Sequence, residues 1–299
     1  MAVGLCGFVI GPRINVLAGL KRAASNGEGM AMSKRGPAGR RGGMDPTVLS
    51  AYELRGGKVS HPQRKEAGPA RTPYRPTVVW TEAEWLHAMT PVLEQVGLVL
   101  TAEQQQKLAA YMVMLAHWNG TFNLTALRDP QDMLTHHLAD CLAVLGPLGR
   151  HLAQRELNAV LGTSTRLLDV GSGGGLPGVV LAIARPDVQV TCVDTVGKKA
   201  AFIRQVGAEL KLPNLRAEHA RVEQLKGQFD VITSRAFASL LDFVTLTQAL
   251  LAKDAVWMAM KGKTPEDEQA ALPSSVEVFH VEQLNVPSLD AERCVVWMR

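Results

Sequence analysis

From about residue 82 onward, apolar residues recur at helical spacing. Trp85, Met89, Val92, Leu93 and Val96 predict a helix over 82–98, with Thr90-Pro91 resembling a helix start. Leu108, Tyr111, Met112 and Leu115 line one face of a second helix over 102–118, opened by the capping box Thr101-Ala-Glu-Gln104. Asp129-Pro130 begins a third, which runs through His136, His137 and Asp140 to about Leu148. Residues 81–150 therefore read as a small helical N-terminal unit.

The period changes at Arg166. Short apolar runs at 166–170, 188–194, 215–218, 229–234 and 255–261 read as strands. Helical stretches lie between them: one through Ala184, one at 198–212 and one at 239–252. Strands separated by helices predict an α/β domain over 151–299, a mostly parallel sheet with helices on both faces. Two further strands, 276–284 and 293–298, close the chain as an antiparallel addition.

Composition changes the picture mainly before residue 81. Residues 1–80 hold 13 of the 27 glycines and 7 of the 16 prolines, with 13 basic against 4 acidic residues, a net +9. The remainder holds 19 basic against 24 acidic residues, a net −5, so the overall +4 belongs to the first segment. Runs such as Lys34-Arg35-Gly36-Pro37 and Arg40-Arg41-Gly42-Gly43 offer little to bury. They predict a disordered basic extension over 1–80, either dispensable or a tether for a phosphate backbone. If the folded part binds RNA, it must use a local basic patch rather than bulk charge. No uncharged apolar stretch is long enough to span a bilayer, and Arg13 interrupts the apolar start, so neither membrane partner nor secretory signal is expected. Cys6, Cys141, Cys192 and Cys294 lie far apart with no CxxC pair. That predicts no metal site and a reducing, cytoplasmic setting.

The chemistry concentrates in Asp169-Val-Gly171-Ser-Gly173-Gly-Gly175-Leu176-Pro-Gly178, placed between a strand and a helix. Glycines there let the backbone turn sharply and let a ligand approach without a Cβ in the way. The next strand ends at Asp194, where a carboxylate is placed to accept both hydroxyls of a ribose. Two nucleoside cofactors fit. A dinucleotide matches Gly173-x-Gly175-x-x-Gly178, the pattern of an NAD-dependent dehydrogenase with a Rossmann domain. S-adenosylmethionine matches the alternating Gly171, Gly173 and Gly175, and the acid before them favours it. Asp169 would crowd a pyrophosphate but suit a cationic aminoacyl group, directly or through water. No Asn/Asp-Pro-Pro-Tyr/Phe sequence or Pro-Cys motif follows the fourth strand; it ends in Thr233-Ser234-Arg235-Ala236-Phe237. That absence is consistent with methylation at a ring nitrogen that already carries a lone pair, where positioning suffices.

Several longer stretches carry a family resemblance. They are Trp118-Asn119 with Asn123-Leu124-Thr125, His137-Leu-Ala-Asp140, the glycine segment above, Phe202-Ile-Arg-Gln-Val, Ser234-Arg-Ala-Phe-Ala-Ser239, Lys261-Gly262 and Pro287-x-Leu-Asp-x-Glu-Arg293. Over about residue 84 to the C-terminus the chain resembles the RsmG (GidB) 16S rRNA guanine-N7 methyltransferases. The resemblance implies a class I S-adenosylmethionine-dependent fold and transfer to N7 of one guanine near the decoding region. It also implies 16S rRNA, within the 30S subunit or an assembly intermediate, as the partner; the sequence does not fix the oligomeric state, and a monomer is the favoured expectation. By position it implies Asp169, Gly171, Gly173, Gly175, Leu176, Asp194, Val222, Glu223 and Arg235 at the cofactor, and Arg221, Arg235 and Lys261 on the guanine and RNA side. A non-catalytic ribosome-assembly factor that keeps the fold is a third reading, which the intact glycine loop disfavours. His137 and Asp140 read either as substrate-site residues or as a polar pair docking the N-terminal helices. Lys198, Lys199 and Arg204 read as a solvated helix face, and Trp118 and Phe122 as packing residues.

Overall fold

The structure is a computed structural model that describes residues 78–158, 164–237 and 239–299, with backbone alone for 155–158. All of these lie within one compact unit, Thr72–Arg299. The basic extension expected over 1–80 falls outside the described residues except for its last three.

The first helix, α1 (Glu82–Val96), is capped by Thr81, whose hydroxyl oxygen accepts the Glu84 N–H while Glu84 reaches back to the Thr81 N–H at 2.7 Å. The start expected at Thr90-Pro91 is instead helix interior: Pro91 sits inside α1, and the Thr90 hydroxyl donates to the Leu86 carbonyl. The capping box at Thr81 lies nine residues earlier and decides where the helix begins. A second capping box, Thr101 with Gln104, opens α2 (Ala102–Phe122), as expected. Asp129 caps α3 (Pro130–Met133) with Pro130 in the first turn. A π-helical turn, Leu134–Ala139, joins it to α4 (Asp140–Ala143), and α5 (Leu145–Asn158) follows. The boundary expected at 150/151 lies inside α5.

The remainder alternates strand and helix: β1 (Arg166–Val170), α6 (Gly178–Ala184), β2 (Gln189–Asp194), α7 (Gly197–Glu209), β3 (Leu215–His219), β4 (Phe229–Arg235), α8 (Leu240–Thr247), β5 (Leu251–Lys261), α9 (Glu266–Ala270), β6 (Val278–Gln283) and β7 (Cys294–Met298). The seven strands form one sheet in the order β3-β2-β1-β4-β5-β7-β6. The first five are parallel, and β7 inserts antiparallel between β5 and β6. This is the expected Rossmann-like α/β architecture of a class I methyltransferase. Strand order reverses between β1 and β4, so a crevice opens at their carboxyl ends, where such sheets bind ligands.

The boundary between α8 and β5 departs from expectation. The helix predicted to reach 252 ends at Thr247, and a 3-10 turn, Gln248–Leu250, leads into a strand that starts at Leu251 rather than 255. Thr247 causes this stop. Its hydroxyl donates to the Phe243 carbonyl at 2.6 Å and accepts the buried Trp257 indole N–H at 2.8 Å, locking the helix end to the strand. The early part of β5 is irregular, with a register shift against β4 and Asp254 at φ +60°.

Two apolar clusters cover the sheet. One joins Trp85, Leu108, Tyr111, Leu115, Leu138 and Leu142 to sheet residues such as Leu167, Val190, Val231 and Met258. The other holds Phe243 and Leu240 of α8 against Leu168, Ile232, Trp257 and Val296. The N-terminal helices thus form one face of the sheet's own core. No helix of the described residues is long and apolar enough to cross a membrane.

Candidate active site

The glycine segment leaves β1 at Val170 and turns at once. Gly171, Gly173 and Gly175 all adopt left-handed backbone, at φ +67°, +58° and +90°, which a side chain would strain. The N–H groups of Gly171 and Ser172 both donate to the Val193 carbonyl, tying the loop to the end of β2. Two glycines serve packing. A Cβ at Gly175 would meet the Val179 side chain at 2.4 Å, and one at Gly178 would meet Cys192 Sγ at 2.4 Å. Gly171 and Gly173 meet no such obstacle and leave an open backbone surface.

Two carboxylates hold this loop in shape. Asp169 lies beneath it with no exposed surface; its Oδ2 accepts the Gly178 N–H at 2.8 Å. Its Oδ1 makes no hydrogen bond among the described residues. Burial pushes the Asp169 pKa up to about 7, against the Gly178 N–H and the Arg235 charge, which pull it down. Asp169 is placed by sequence at the aminoacyl end of a donor; its contact here is with the loop's own backbone. Asp194 stands at the end of β2, with Oδ2 accepting the Gly173 N–H at 3.0 Å and Oδ1 the Val196 N–H at 2.8 Å. From the opposite side, the Tyr111 hydroxyl of α2 donates to the Gly174 carbonyl at 2.8 Å.

A cavity of about 340 Å³ opens over this loop, and it brings Gly171, Asp194, Arg221, Val222 and Glu223 together. Val222 and Glu223 come from a 3-10 turn after β3. Phe237 and Leu246 complete an apolar wall. Lys199 also lines the cavity, its Nζ 3.5 Å from Asp194. Lys198 and Arg204 are exposed, as a solvated face requires, although Arg204 also donates to the Ala217 carbonyl at 3.0 Å; Lys199 departs from that reading. The start of α7 points Lys199 back at the crevice instead. Trp118 packs as expected, against Phe202 and Phe122.

A second cavity, of about 390 Å³, gathers His136, His137, Asp140, Arg235, Lys261 and Arg293. Arg235 closes β4. Its guanidinium donates to the His136 carbonyl at 2.8 Å and to Asp140 Oδ2 at 3.2 Å, and lies 3.3 Å from His137 Nδ1. Arg293 approaches the other oxygen of Asp140 at 3.3 Å, so a nearly buried carboxylate joins two arginines. Burial, followed by the Arg235 charge, pulls the His137 pKa down to about 4, so the ring is neutral near pH 7. Its Nε2 lies 2.6 Å from the Thr125 hydroxyl, which Asn119 helps to place by accepting the Thr125 N–H. Lys261 ends β5 with its ammonium 2.7 Å from Glu268. His137 and Asp140 therefore line the second cavity and also anchor helix to sheet.

The profile of the family described as rRNA small subunit methyltransferase G matches residues 104–296. The chain belongs to this family. The rRNA small subunit methyltransferase G of Acidovorax sp. (strain JS42) is 56% identical over 213 residues, covering 71% of this chain and 94% of that protein. The family member from Methylibium petroleiphilum is 61% identical over 202 residues, covering 67% and 88%. Solved structures similar to this chain include a ribosomal protein L11 methylase from Lactobacillus delbrueckii subsp. bulgaricus, 17% identical with a TM-score of 0.38 over 50% of this chain and 76% of that one. Another is TrmN from Thermus thermophilus, 20% identical with a TM-score of 0.39 over 50% and 48%. Membership decides against the nicotinamide alternative: this family member is a methyltransferase, and its cofactor is S-adenosylmethionine.

The first cavity fits that cofactor. Asp194 could hold a ribose, Val222, Phe237 and Leu246 could cover a purine, and the bare backbone at Gly171 and Gly173 admits a close ligand. The sequence named Phe237, Tyr111 and Arg293 only within a motif or a helix face, with no site role, and did not point to Glu268 at all. Phe237 had a signal, since it follows the end of a parallel strand where ligands bind. Tyr111 had none beyond its helical face, because its role depends on which helix lands under the loop.

Proposed function

We propose that this methyltransferase transfers a methyl group to N7 of one guanine in 16S rRNA. The reaction takes place in the cytoplasm, on the 30S subunit or an assembly intermediate. One observation carries the reading: among the described residues, the cavity beside the donor site is lined with cations, and neither its carboxylate nor its thiol is free to act as base or nucleophile. Its carboxylate, Asp140, is taken by two guanidiniums. Burial keeps the Cys294 thiol protonated, His137 is held against Arg235, and His136 Nδ1 folds back onto Thr135 at 2.9 Å. Guanine N7 suits such a site, because its lone pair is free and no proton need leave before attack.

The bound donor supplies an electrophilic methyl on a sulfonium. Asp194 would hold its ribose, while Val222, Glu223 and Phe237 would enclose the adenine. Gly171, Gly173, Gly175 and Leu176 shape the loop, and Asp169 sets that loop through the Gly178 N–H. Arg235, at the end of β4, lines the second cavity and not the first, which favours the guanine side over the cofactor for it; there it would orient the guanine. Lys261 and Arg221 would take RNA phosphate and so hold the base in line. Methylation at N7 would leave a positive charge on the guanine. The paired state of Arg235 and Lys261 with carboxylates keeps the site from opposing it.

Incubation with 30S subunits lacking the modification, using labelled cofactor, should place the label on N7 of a single guanine. Asp194→Ala should weaken cofactor binding by titration, whereas Lys261→Ala should impair methyl transfer more than cofactor affinity. A label elsewhere, or two variants indistinguishable from the parent, would overturn the proposal.

A further inference from the structure

Glu268 lies on α9, outside both cavities, yet touches two elements that frame them. Its Oε1 and Oε2 accept from Lys261 Nζ at 3.0 and 2.7 Å. Its Oε2 also accepts the Leu240 N–H at 2.7 Å, at the start of α8. Lys261 lines the substrate-side cavity and Glu268 does not, so the ammonium stands between the carboxylate and the open space. The Lys261 side chain is only 13% exposed. A lysine has three donors on a flexible stem, and two of them are occupied from behind here. Its third donor remains for a ligand.

We infer that Glu268 is a positioning residue for RNA binding: it pins the Lys261 ammonium at the cavity rim, where it meets a phosphate. The inference rests on the RNA-side reading of Lys261 given above. Its consequence has an unexpected sign. Removing a negative charge near a polyanion should tighten binding if only bulk electrostatics acts. Removing Glu268 should weaken it instead, because Lys261 loses its fixed place.

The test measures affinity of the full chain for unmethylated 30S subunits across a salt series, beside cofactor affinity. Glu268→Ala should weaken binding about tenfold and flatten the salt dependence by about one phosphate contact. Glu268→Gln keeps an acceptor for Lys261 and should recover part of the loss. Both variants should bind S-adenosylhomocysteine like the parent, which excludes general misfolding. In a Lys261→Ala background, Glu268→Ala should produce no further loss. Tighter binding in Glu268→Ala, or an equal added loss in the Lys261→Ala background, would overturn the inference while leaving the function intact. Unchanged binding in Lys261→Ala itself would overturn the inference together with the RNA-side role of Lys261.

Discussion

Asp169 and His137 titrate in opposite directions, and their effects on stability oppose one another. Asp169 has an ordinary pKa of 3.8 and a folded value of about 7. Between those values the folded chain keeps a proton that the unfolded chain has released, so stability falls as pH rises. His137 has an ordinary pKa of 6.5 and a folded value of about 4. There the unfolded chain takes up the proton first, so stability falls as pH drops from 6.5 towards 4. Asp169→Asn removes only the first contribution. Its stability relative to the parent should therefore improve from pH 4 to 7, by up to about 1.4 kcal/mol per pH unit. Urea unfolding midpoints at several pH values measure this; a constant offset between the two proteins would refute it. At this scale the sequence was informative where chemistry is local. The glycine alternation and the strand-end position of Asp194 point to a nucleoside pocket from sequence alone. The inward burial of Asp169 was not legible, because it depends on α6 folding back so that Gly178 sits on the carboxylate.

Among the elements, the caps were the most legible features and interior signals the least. Thr101 with Gln104 announced α2, whereas Thr90-Pro91 imitated a start inside α1. Gln104 does more than close a capping box. Its amide Nε2 also donates to the carbonyls of Ile183 and Ala184, at 3.2 and 3.0 Å, the otherwise open end of α6. Thr101→Ala should cost about 1 kcal/mol by losing one cap bond. Gln104→Ala should cost more, about 1–3 kcal/mol, because it also strips partners from part-buried carbonyls. Chemical denaturation of the two variants tests the ranking, and an equal loss in both would contradict it. The misread end of α8 has a similar origin: Trp257 lies ten residues beyond Thr247, and nothing adjacent in sequence signals that they meet.

For the whole molecule, the helices before β1 and the five parallel strands share one apolar cluster. A chain begun at residue 130 would lose Trp85, Met89, Leu108, Tyr111, Met112 and Leu115 from that cluster, all of them wholly buried. It should lose cooperative unfolding and bind a hydrophobic dye, as chains do when an apolar face is exposed. Sharp, single-step thermal unfolding of that fragment would show the sheet to be self-sufficient. The strand order was partly legible, since alternation implied a parallel sheet. The closing β6–β7 pair was legible as an antiparallel addition, but that β7 rather than β6 lies against β5 was not, because the β5–β7 pairing joins residues far apart in sequence.

The glycine bend after β1 rests on α2, a helix 63 residues earlier in the chain at their hydrogen-bonded contact. Leu115 occupies the space where a Cβ on Gly174 would lie, at 2.7 Å, while Tyr111 bonds the same residue's carbonyl. Docking of α2 and ordering of the glycine bend are thus a shared event. By reciprocity, whatever firms one must firm the other equally. Saturating cofactor should consequently slow hydrogen exchange along α2 itself, and loosening α2 should cost donor affinity without any change in the pocket's own side chains.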